Sequence, residues 1–226
     1  MLLESLGLTL VRAGDTGPVR VLDGVSLALS GGELVDVVGP SGSGKSTLLL
    51  AMARLLPGVR GQLRLDGRPA EEWPPTRWRT NVTLLPQKPT LVPGTVADNL
   101  LLPWRLKVRA AEEPPTPGVL ADALASVGLD DVSPARDVAR LSVGQQARVA
   151  LLRVLLARPE FLLLDEPDAA LDNDSAARVT DAVVRFVREG GGAVRVRHLR
   201  SDEHASRRYR MEAGRLAEAA LANGGE

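Results

Sequence analysis

Apolar and polar residues alternate at the start of the chain, and this pattern predicts two strands. Residues 2–12 alternate loosely, whereas residues 19–29 have an apolar side chain at most second positions. Glycine and proline form a turn between them at 14–18, and Asp23-Gly24 marks a possible bulge in the second strand. We therefore expect the chain to open with an antiparallel layer.

Strands and helices alternate after this layer. Short apolar runs predict strands at 34–38, 62–65, 82–85, 161–164 and 193–197, and helical patterns occur at 46–56 and 174–188. The continuous run 161–164 is typical of a strand buried on both faces. A hairpin is expected within 207–216, around Ala213-Gly214, and a frayed helix over 217–226. The alternation favours an α/β core beside the antiparallel layer.

The middle of the chain is predicted to be mostly helical. Helices are expected from Thr95 to Leu102 with Thr95 as the N-cap, from Val119 to Val127, and from Ser142 to Ala157. The prediction is a single domain over residues 1–226. Residues 1–89 and 158–226 would form the β layer and the α/β core, and residues 90–157 would form an inserted helical subdomain.

Composition and charge limit the partners, site types and cellular location that the sequence allows. The formal net charge is zero, so charge gives no argument for nucleic acid or an anionic membrane, and no nucleic acid partner is expected. The absence of cysteine excludes disulfides and thiolate metal sites. No signal peptide and no run near the ~20 apolar residues of a membrane helix is visible, so we expect a chain that is soluble by itself. A solvated basic face is expected from Arg195, Arg197, Arg200, Arg207, Arg208 and Arg210.

A glycine-rich stretch between strand 34–38 and helix 46–56 fits G-x-x-x-x-G-K-[ST], the phosphate-binding P-loop. Its residues are Gly39, Pro40, Ser41, Gly42, Ser43, Gly44, Lys45, Ser46 and Thr47. The glycines let backbone N–H groups turn inward, and the helix that follows adds the positive end of its dipole. Lys45 would reach the β- and γ-phosphates of a nucleotide, and Ser46 would hold Mg²⁺ through its hydroxyl.

A second motif, Asp165-Glu166-Pro167, ends the buried run 161–164. An acid at the carboxyl end of such a strand lies where open α/β sheets bind ligands. Asp165 would hold Mg²⁺, directly or through water, and Glu166 would orient or deprotonate an attacking water. The two motifs therefore predict a site for a nucleotide and a metal ion at one edge of the sheet.

A third motif opens the long helix and reads Leu-Ser-Val-Gly-Gln-Gln over residues 141–146. Ser142 and the first free N–H groups would form a second anion site, and Gly144 would leave room for close approach of a phosphate. Taken alone, the pattern is also that of an ordinary N-capped helix.

The three motifs resemble those of the ABC ATPase family, and the resemblance covers nearly the whole chain. Residues 141–145 are similar to the LSGGQ signature of that family, with Val143 where a second glycine is usual. The resemblance makes Gln87 the Q-loop glutamine, residues 170–172 the D-loop, and His198 the switch histidine. Six motifs in the order of the family are far more specific than any one of them.

In this family two ATPase domains close head-to-tail around two ATP molecules. The resemblance therefore implies ATP and Mg²⁺ as cofactors and a homodimer in the ATP-bound state. The implied catalytic residues are Lys45, Gln87, Glu166 and His198, and the implied metal ligands are Ser46, Gln87 and Asp165. Ser142 and Gly144 are implied to bind nucleotide held by the partner chain, and Gln145 and Asp172 to belong to the nucleotide site as well. The implied fold is a P-loop NTPase with a RecA-like core.

One position departs from the family pattern. ABC ATPases usually stack an aromatic residue on adenine, at a position upstream of the P-loop where this chain has Val11 and Arg12. Val11 could pack on the base, or Arg12 could stack on it. The phosphate contacts are thus well specified and the base contacts are not, so weak discrimination between bases is expected.

The favoured interpretation is the ATPase subunit of an ABC membrane transporter, which would be cytoplasmic and peripheral at the inner face of the cell membrane through a separate integral membrane permease. One alternative is a soluble ABC ATPase acting on nucleic acid or ribosomes. The DNA-repair type has long coiled-coil insertions, for which the chain between Lys45 and Ser142 is too short, and the translation type usually has two cassettes. A P-loop kinase is a further alternative, but it would have no use for residues 141–145.

Within transporters, residues 86–91 and 94–104 look like those of the small FetA/YbbL-type ATPases. Those proteins pair with a FetB-type permease that is linked to iron export. The family docks on its permease through the helical subdomain, so the surface around Val92 to Trp104 would be the coupling face. The permease chooses the transported substrate, and metal export is what this resemblance implies.

Overall fold

The computed structural model describes residues 1–14, 17–88, 90–169, 171–197 and 203–220. Within these ranges the strands are β1 (Leu2–Gly14), β2 (Gly17–Ser30), β3 (Leu34–Val38), β4 (Arg60–Leu65), β5 (Arg68–Pro69), β6 (Val82–Leu85), β7 (Phe161–Asp165), β8 (Gly192–Arg197), β9 (Arg207–Glu212) and β10 (Arg215–Ala219). The helices are α1 (Lys45–Met52), α2 (Pro75–Asn81), α3 (Val96–Leu100), α4 (Pro117–Ser126), α5 (Val143–Leu156) and α6 (Asn173–Arg188). This order of elements confirms an α/β fold that opens with β strands.

The first sheet is antiparallel and has the order β2-β1-β4-β5. β1 and β2 form a long hairpin whose register shifts between Leu8 and Leu10 of β1, so that β2 has an extra residue there. Gly24 has a φ of 68° at this point. That left-handed conformation suits glycine because it has no Cβ. The predicted bulge at Asp23-Gly24 is thus confirmed.

The second sheet has the order β10-β9-β3-β8-β7-β6. Its strands from β9 to β6 are parallel, and β10 pairs antiparallel with β9. Parallel strands need crossover connections, and these bring helices to the faces of the sheet. Because the carboxyl ends of parallel strands meet at one edge, the segments that follow β3, β6 and β7 come together there.

Two apolar clusters lie on opposite faces of the second sheet. Successive side chains of a strand point to opposite faces. Val35 and Val37 of β3 therefore pack in one cluster with α1 and the first sheet, whereas Leu34 packs in the other with α3 to α6. Residues 161–164 of β7 divide between the clusters in the same way and are fully buried. The predicted strand with two buried faces is therefore confirmed.

Between β6 and β7 the described residues form α3, α4, α5 and short 3-10 turns, apart from one isolated bridge between Thr95 and Asp137. Thr95 caps α3 as predicted: its side chain accepts from the Asp98 N–H, and Asp98 accepts from the Thr95 N–H in return. The hydrogen bonds from Thr95, followed by Arg105, lower the pKa of Asp98 to about 2. The division into a core and an inserted subdomain stays a prediction. In the part of the chain that the structure describes, no helix is long and apolar enough to cross a membrane.

The structure differs from the sequence prediction at α1, at α2 and over residues 217–219. α1 ends at Met52 rather than Leu56, because Arg54 has a left-handed φ of 55°. α2 was not predicted, since Trp78 is its one buried residue and no apolar period marks it. Residues 217–219 pair with β9 as part of β10, so the helix predicted over 217–226 is wrong there. Residues 221–226 lie outside the described residues.

Candidate functional site

The P-loop connects β3 to α1 at the carboxyl edge of the second sheet. Gly42 and Gly44 have φ values of 77° and 107°, which favour glycine. A Cβ on Gly39 would lie 2.1 Å from the carbonyl oxygen of Met211, and a Cβ on Gly44 would lie 2.6 Å from that of Val21. The loop is therefore packed against β9 and β2, and only glycine fits at these two contacts.

The centre of the P-loop has the features that a phosphate group satisfies. Lys45 is buried, and its Nζ donates to the carbonyl oxygens of Gly39 at 2.8 Å and Pro40 at 2.9 Å. Ser43 Oγ is buried and has no hydrogen-bond partner among the described residues. Gly44 begins α1 without a side-chain cap, so side chains leave the first N–H groups of the helix unpaired. A buried cation, an orphaned hydroxyl and an uncapped helix N-terminus fit the phosphates of a nucleotide.

Two side-chain oxygens of the kind that could hold a divalent cation meet beside this loop. Ser46 Oγ in the first turn of α1 donates to Asp165 Oδ1 at the end of β7, over 3.0 Å. A hydroxyl and a carboxylate are ligands that Mg²⁺ prefers, and this cation keeps several ligands from substrate phosphates and water. No group of three or more His, Cys, Asp or Glu side chains that could hold a metal occurs in the described residues. The residues present therefore fit a cation that is bound together with a nucleotide.

Glu166 and Gln87 lie side by side although they are far apart in sequence. Gln87 Nε2 donates to Glu166 Oε2 over 2.7 Å. Glu166 is buried and has a left-handed φ of 47°, an uncommon conformation for a residue with a side chain. A cavity of about 300 Å³ adjoins the two side chains and is also lined by Val143 and Leu171. The carboxylate is thus held at a site that has room for water.

Ser142 is the N-cap of α5, as predicted. Its Oγ accepts from the Gln145 N–H at 3.3 Å, and Gln145 Oε1 accepts from the Ser142 N–H at 3.0 Å. Both of these hydrogen bonds stay within the first turn of α5. Val143 is 66% exposed beside them. The structure therefore leaves this helix start at a surface of the chain.

The start of α6 lies against the start of α5. Asp172 is the N-cap of α6. Its carboxylate accepts from the N–H and from the hydroxyl of Ser175, each at 2.9 Å. These hydrogen bonds lower the pKa of Asp172. A Cβ on Gly144 would lie 3.0 Å from Ser175 Oγ, so glycine permits this approach. Of the other predicted residues in these loops, Ala170 and His198 lie outside the described residues.

Val11 lies in the outer part of the β1–β2 hairpin and is 49% exposed. Its cross-strand partner is Arg20. Arg20 forms an ion pair with Asp23 at 2.7 Å, and Arg215 forms another with the same carboxylate at 2.9 Å. Both arginines lower the pKa of Asp23, Arg20 more strongly. Because Val21 contacts the P-loop, this hairpin borders the phosphate site on one side.

The predicted solvated basic face is wrong for the two arginines of β8, because Arg195 and Arg197 are both buried. Arg195 donates from Nε and Nη2 to the two carboxylate oxygens of Asp36 in β3, at 2.8 and 3.1 Å. Arg197 donates from Nη2 to Oδ2 of Asp168, in the loop between β7 and α6. We call Asp36–Arg195 the inner pair and Asp168–Arg197 the outer pair.

Sequence reasoning missed both pairs, although a signal was present. Asp36 interrupts the apolar run 34–38, and the two arginines interrupt the run 193–197. A charge in a strand that is otherwise apolar is retained in the interior only with a partner. Of the other arginines assigned to the solvated face, Arg207 and Arg208 are half-buried, Arg210 is exposed, and Arg200 lies outside the described residues.

The fold and this edge of the sheet define the chain as a P-loop nucleotide-binding protein. A family model described as ABC transporter matches residues 22–169. The probable iron export ATP-binding protein FetA of Escherichia coli strain K12 is 36% identical over 79% of this chain and 77% of its own length. The hemin import ATP-binding protein HmuV of Nocardia farcinica is 37% identical over 95% of this chain and 76% of its own length.

Solved structures agree on the fold. A dimeric bacterial ABC transporter cassette, MJ0796, has a TM-score of 0.81 at 24% identity and covers 98% of this chain and 99% of that chain. The chain belongs to the ABC transporter family, as an ATP-binding cassette that hydrolyses ATP. The family that the sequence motifs indicated is thereby confirmed.

Proposed function

We propose that this ATPase is one half of a head-to-tail homodimer that hydrolyses ATP with Mg²⁺ and drives a separate integral membrane permease. The observation that carries the proposal is the 2.7 Å hydrogen bond between Gln87 Nε2 and Glu166 Oε2. It joins the carboxylate proposed to activate water to the segment that leads into the helical region between β6 and β7. Hydrolysis and movement of that region are linked through this contact.

The P-loop binds the phosphates in this proposal. Lys45 releases the carbonyls of Gly39 and Pro40 and donates to the β- and γ-phosphates instead, while backbone N–H groups of residues 41–47 complete the contacts. Ser43 Oγ gains the partner that it lacks. Ser46 and Asp165 hold Mg²⁺, with Gln87 as a further ligand. When bound, Mg²⁺ neutralises charge on the phosphates and helps to align the γ-phosphate.

Glu166 is the proposed general base. Its carboxylate accepts a proton from the attacking water as the water oxygen bonds to the γ-phosphorus and the bond from that phosphorus to the leaving ADP oxygen breaks. Gln87 holds the carboxylate in position through its amide. His198 is proposed to stabilise the charge that develops on the γ-phosphate.

The second half of each site comes from the partner chain. Ser142, Gly144 and Gln145 are proposed to present the start of α5 to the γ-phosphate of the partner's ATP, and Asp172 to contact the same interface. Val143 is 66% exposed beside this helix start, so the first turn of α5 is accessible to a partner chain. The structural neighbour is itself described as dimeric, and another structure of it as bound to ADP and phosphate.

The permease is proposed to dock on the surface around Val92 to Trp104. Asn99 holds the backbone of this surface in place. Its side chain accepts from the Val92 N–H at 2.8 Å and donates to the Val92 carbonyl at 2.9 Å. Leu106, just beyond it, is 52% exposed. Docking would hold the chain at the inner face of the cell membrane as a peripheral cytoplasmic subunit. The similarity to FetA favours metal export, of iron, as the transport function.

The deciding experiment replaces Glu166 by Gln. We expect ATP turnover to fall to background while ATP still binds, so that the variant remains dimeric in ATP and Mg²⁺. Glu160→Gln is the matched control, because Glu160 lies at the other end of β7. The measurements are phosphate release and light scattering after size exclusion. Normal turnover by Glu166→Gln would contradict the role of Glu166, and an ATP-bound monomer would contradict the dimer.

A separate experiment tests the contact with the nucleotide base. We propose that Val11 packs on the nucleotide base without the aromatic stacking that is usual in this family. Val11→Trp should then lower the KM for ATP, because stacking on an aromatic face stabilises a base by about 1–3 kcal/mol. It should also raise the preference for ATP over UTP, because a purine has the larger face and stacks more strongly. Unchanged KM values for both nucleotides would remove Val11 from the site.

The metal proposal is tested in vesicles that contain the chain and the membrane protein that co-purifies with it. ATP-dependent movement of iron out of the compartment that holds the ATPase is the expected result. Movement of hemin alone, or of no metal ion, would contradict metal export and leave the ATPase assignment intact.

A further inference from the structure

The outer pair, Asp168–Arg197, joins the end of β8 to the loop that carries Glu166. Arg197 is the last residue of β8, and Asp168 lies in the loop between β7 and α6. The two side chains are only 10% and 17% exposed. An ion pair held largely out of water at the end of a strand restricts the loop to which it is attached.

A second link fixes the same loop to the same strand. The Glu166 N–H donates to the carbonyl oxygen of Val196 at 3.1 Å. This bond holds the backbone of Glu166, whose φ of 47° is uncommon for a residue with a side chain. The outer pair adds a side-chain link one position further along β8. Both links therefore act on the residue that carries the proposed general base.

The loop turns tightly after Glu166 and ends at the N-cap of α6. The Ala169 N–H donates to the Glu166 carbonyl at 3.3 Å, and the Leu171 N–H donates to the Asp168 carbonyl at 3.2 Å. Asp172 follows at once and lies beside Gly144 of α5. A shift at Asp168 would thus be passed to Glu166 in one direction and to the start of α5 in the other.

We propose that Asp168 and Arg197 are positioning residues for ATP hydrolysis. The inference rests on the proposed role of Glu166 as general base. The outer pair holds the loop so that Glu166 keeps its left-handed backbone and its contact with Gln87. The outer pair links β8 to the loop of Glu166, whereas Lys45 donates to the carbonyl oxygens of Gly39 and Pro40, and Ser46 donates to Asp165. Loss of the pair therefore lowers kcat and leaves ATP binding unchanged.

The test uses the full-length chain and three variants. Asp168→Asn keeps the shape of the side chain and removes its charge, Arg197→Met removes the donors, and Asp168→Arg with Arg197→Asp exchanges the charges. We expect kcat to fall about 10- to 100-fold in the first two, the range for a small misplacement of a catalytic group. The KM for ATP and the Kd for a fluorescent ATP analogue should stay within error of wild type.

Rescue separates positioning from a general effect of the substitutions. The exchanged pair should recover part of the lost kcat, because the attraction is restored in the opposite sense. Arg210→Met is the matched control, since Arg210 in β9 is exposed and pairs with Glu212 across 3.5 Å. It should leave kcat unchanged. Thermal melting of each variant reports folding independently of activity.

Three results would overturn the inference. These are a wild-type kcat in Asp168→Asn, a parallel loss of ATP binding and of kcat, and no recovery in the exchanged pair while Tm is normal. Failure of the proposed function looks different: Glu166→Gln would then turn over ATP like wild type, whatever the outer pair does. The two ideas can thus fail separately.

Discussion

The inner and outer pairs each join a guanidinium on β8 to a carboxylate on another segment, and they do so in different surroundings. The inner pair joins β3 and β8 in the middle of the sheet, with side chains that are 0% and 2% exposed. The outer pair joins the end of β8 to a loop and keeps some contact with water. The inner pair therefore concerns the stability of the sheet, and the outer pair concerns the geometry of one loop.

Burial decides this difference. A charge in the interior has lost its hydration and depends on its partner, so removal of the partner is far costlier than the net value of the pair. A pair at the edge of the structure can be partly replaced by water. The same substitution in the two arginines should therefore give different results.

The largest effect is expected from Arg195→Met. It leaves the Asp36 carboxylate buried without its two donors, so the free energy of unfolding should fall by about 3–5 kcal/mol. Arg197→Met should cost less than Arg195→Met, because the Asp168 side chain is 17% exposed and water can partly replace the lost donors. Urea unfolding followed by circular dichroism measures both. Equal losses of unfolding free energy in the two variants would contradict the idea that burial separates the two pairs.

The next largest effect on stability is expected when both members of the inner pair are replaced together. Asp36→Val combined with Arg195→Met replaces both charges by apolar side chains that suit a buried strand. The double variant should be within about 1 kcal/mol of wild type or more stable by up to about 4 kcal/mol. Its ATP turnover should persist. A double variant as unstable as Arg195→Met would show that the pair has a further structural role.

A smaller effect of opposite sign, a gain in stability, is expected at Glu160. Its carboxylate has no arginine partner among the described residues. Its Oε2 is buried and has no hydrogen-bond partner among the described residues. Burial, followed by repulsion from Asp66, raises the pKa of Glu160 above its usual 4.5. The folded state therefore holds this proton more tightly, and stability is lost as the pH rises from 4.5 through the raised pKa.

Glu160→Gln should remove that loss. We expect a gain of about 0.5 kcal/mol or less at pH 7, since Glu160 is only partly buried, and no gain below pH 4.5. Urea unfolding at pH 4 and pH 7 measures the difference. A gain that is equal at both pH values would exclude titration of Glu160 as its cause.

The smallest effect belongs to Asp23, whose two arginine partners are exposed to solvent. Its lowered pKa should rise toward the usual 3.8 in 1 M NaCl, where the screening length is only about 3 Å. A carbon-13 NMR titration of the carboxyl group measures this shift. The destabilisation in Arg195→Met should not change with salt, and a change would mean that the inner pair is also hydrated.

Local patterns predicted the parts of the site that depend on one segment. The P-loop, the acids that end β7 and the cap at Ser142 each combine a motif with its own strand or helix, so sequence alone locates them. α2 escaped prediction because Trp78, which donates to the Met52 carbonyl at 2.8 Å, is its only buried side chain. No periodic signal exists for a helix anchored by one residue.

The ion pairs escaped prediction for another reason. Asp36 and Arg195 become neighbours only when β3 and β8 align as parallel strands in one register. That alignment depends on crossover connections that bring distant segments together, and the apolar runs are compatible with more than one strand order. The contact between Gln87 and Glu166 likewise requires β6 and β7 to pair as neighbouring parallel strands, and no pattern within either segment specifies that pairing.

The contact between Gly39 and Met211 has a consequence for the order of events during synthesis. The phosphate loop is made early, yet the backbone against which it rests belongs to β9, near the end of the described chain. A ribosome-bound chain lacks this support until Met211 has emerged. We therefore expect a chain that ends before Met211 to bind nucleotide less well than the full chain.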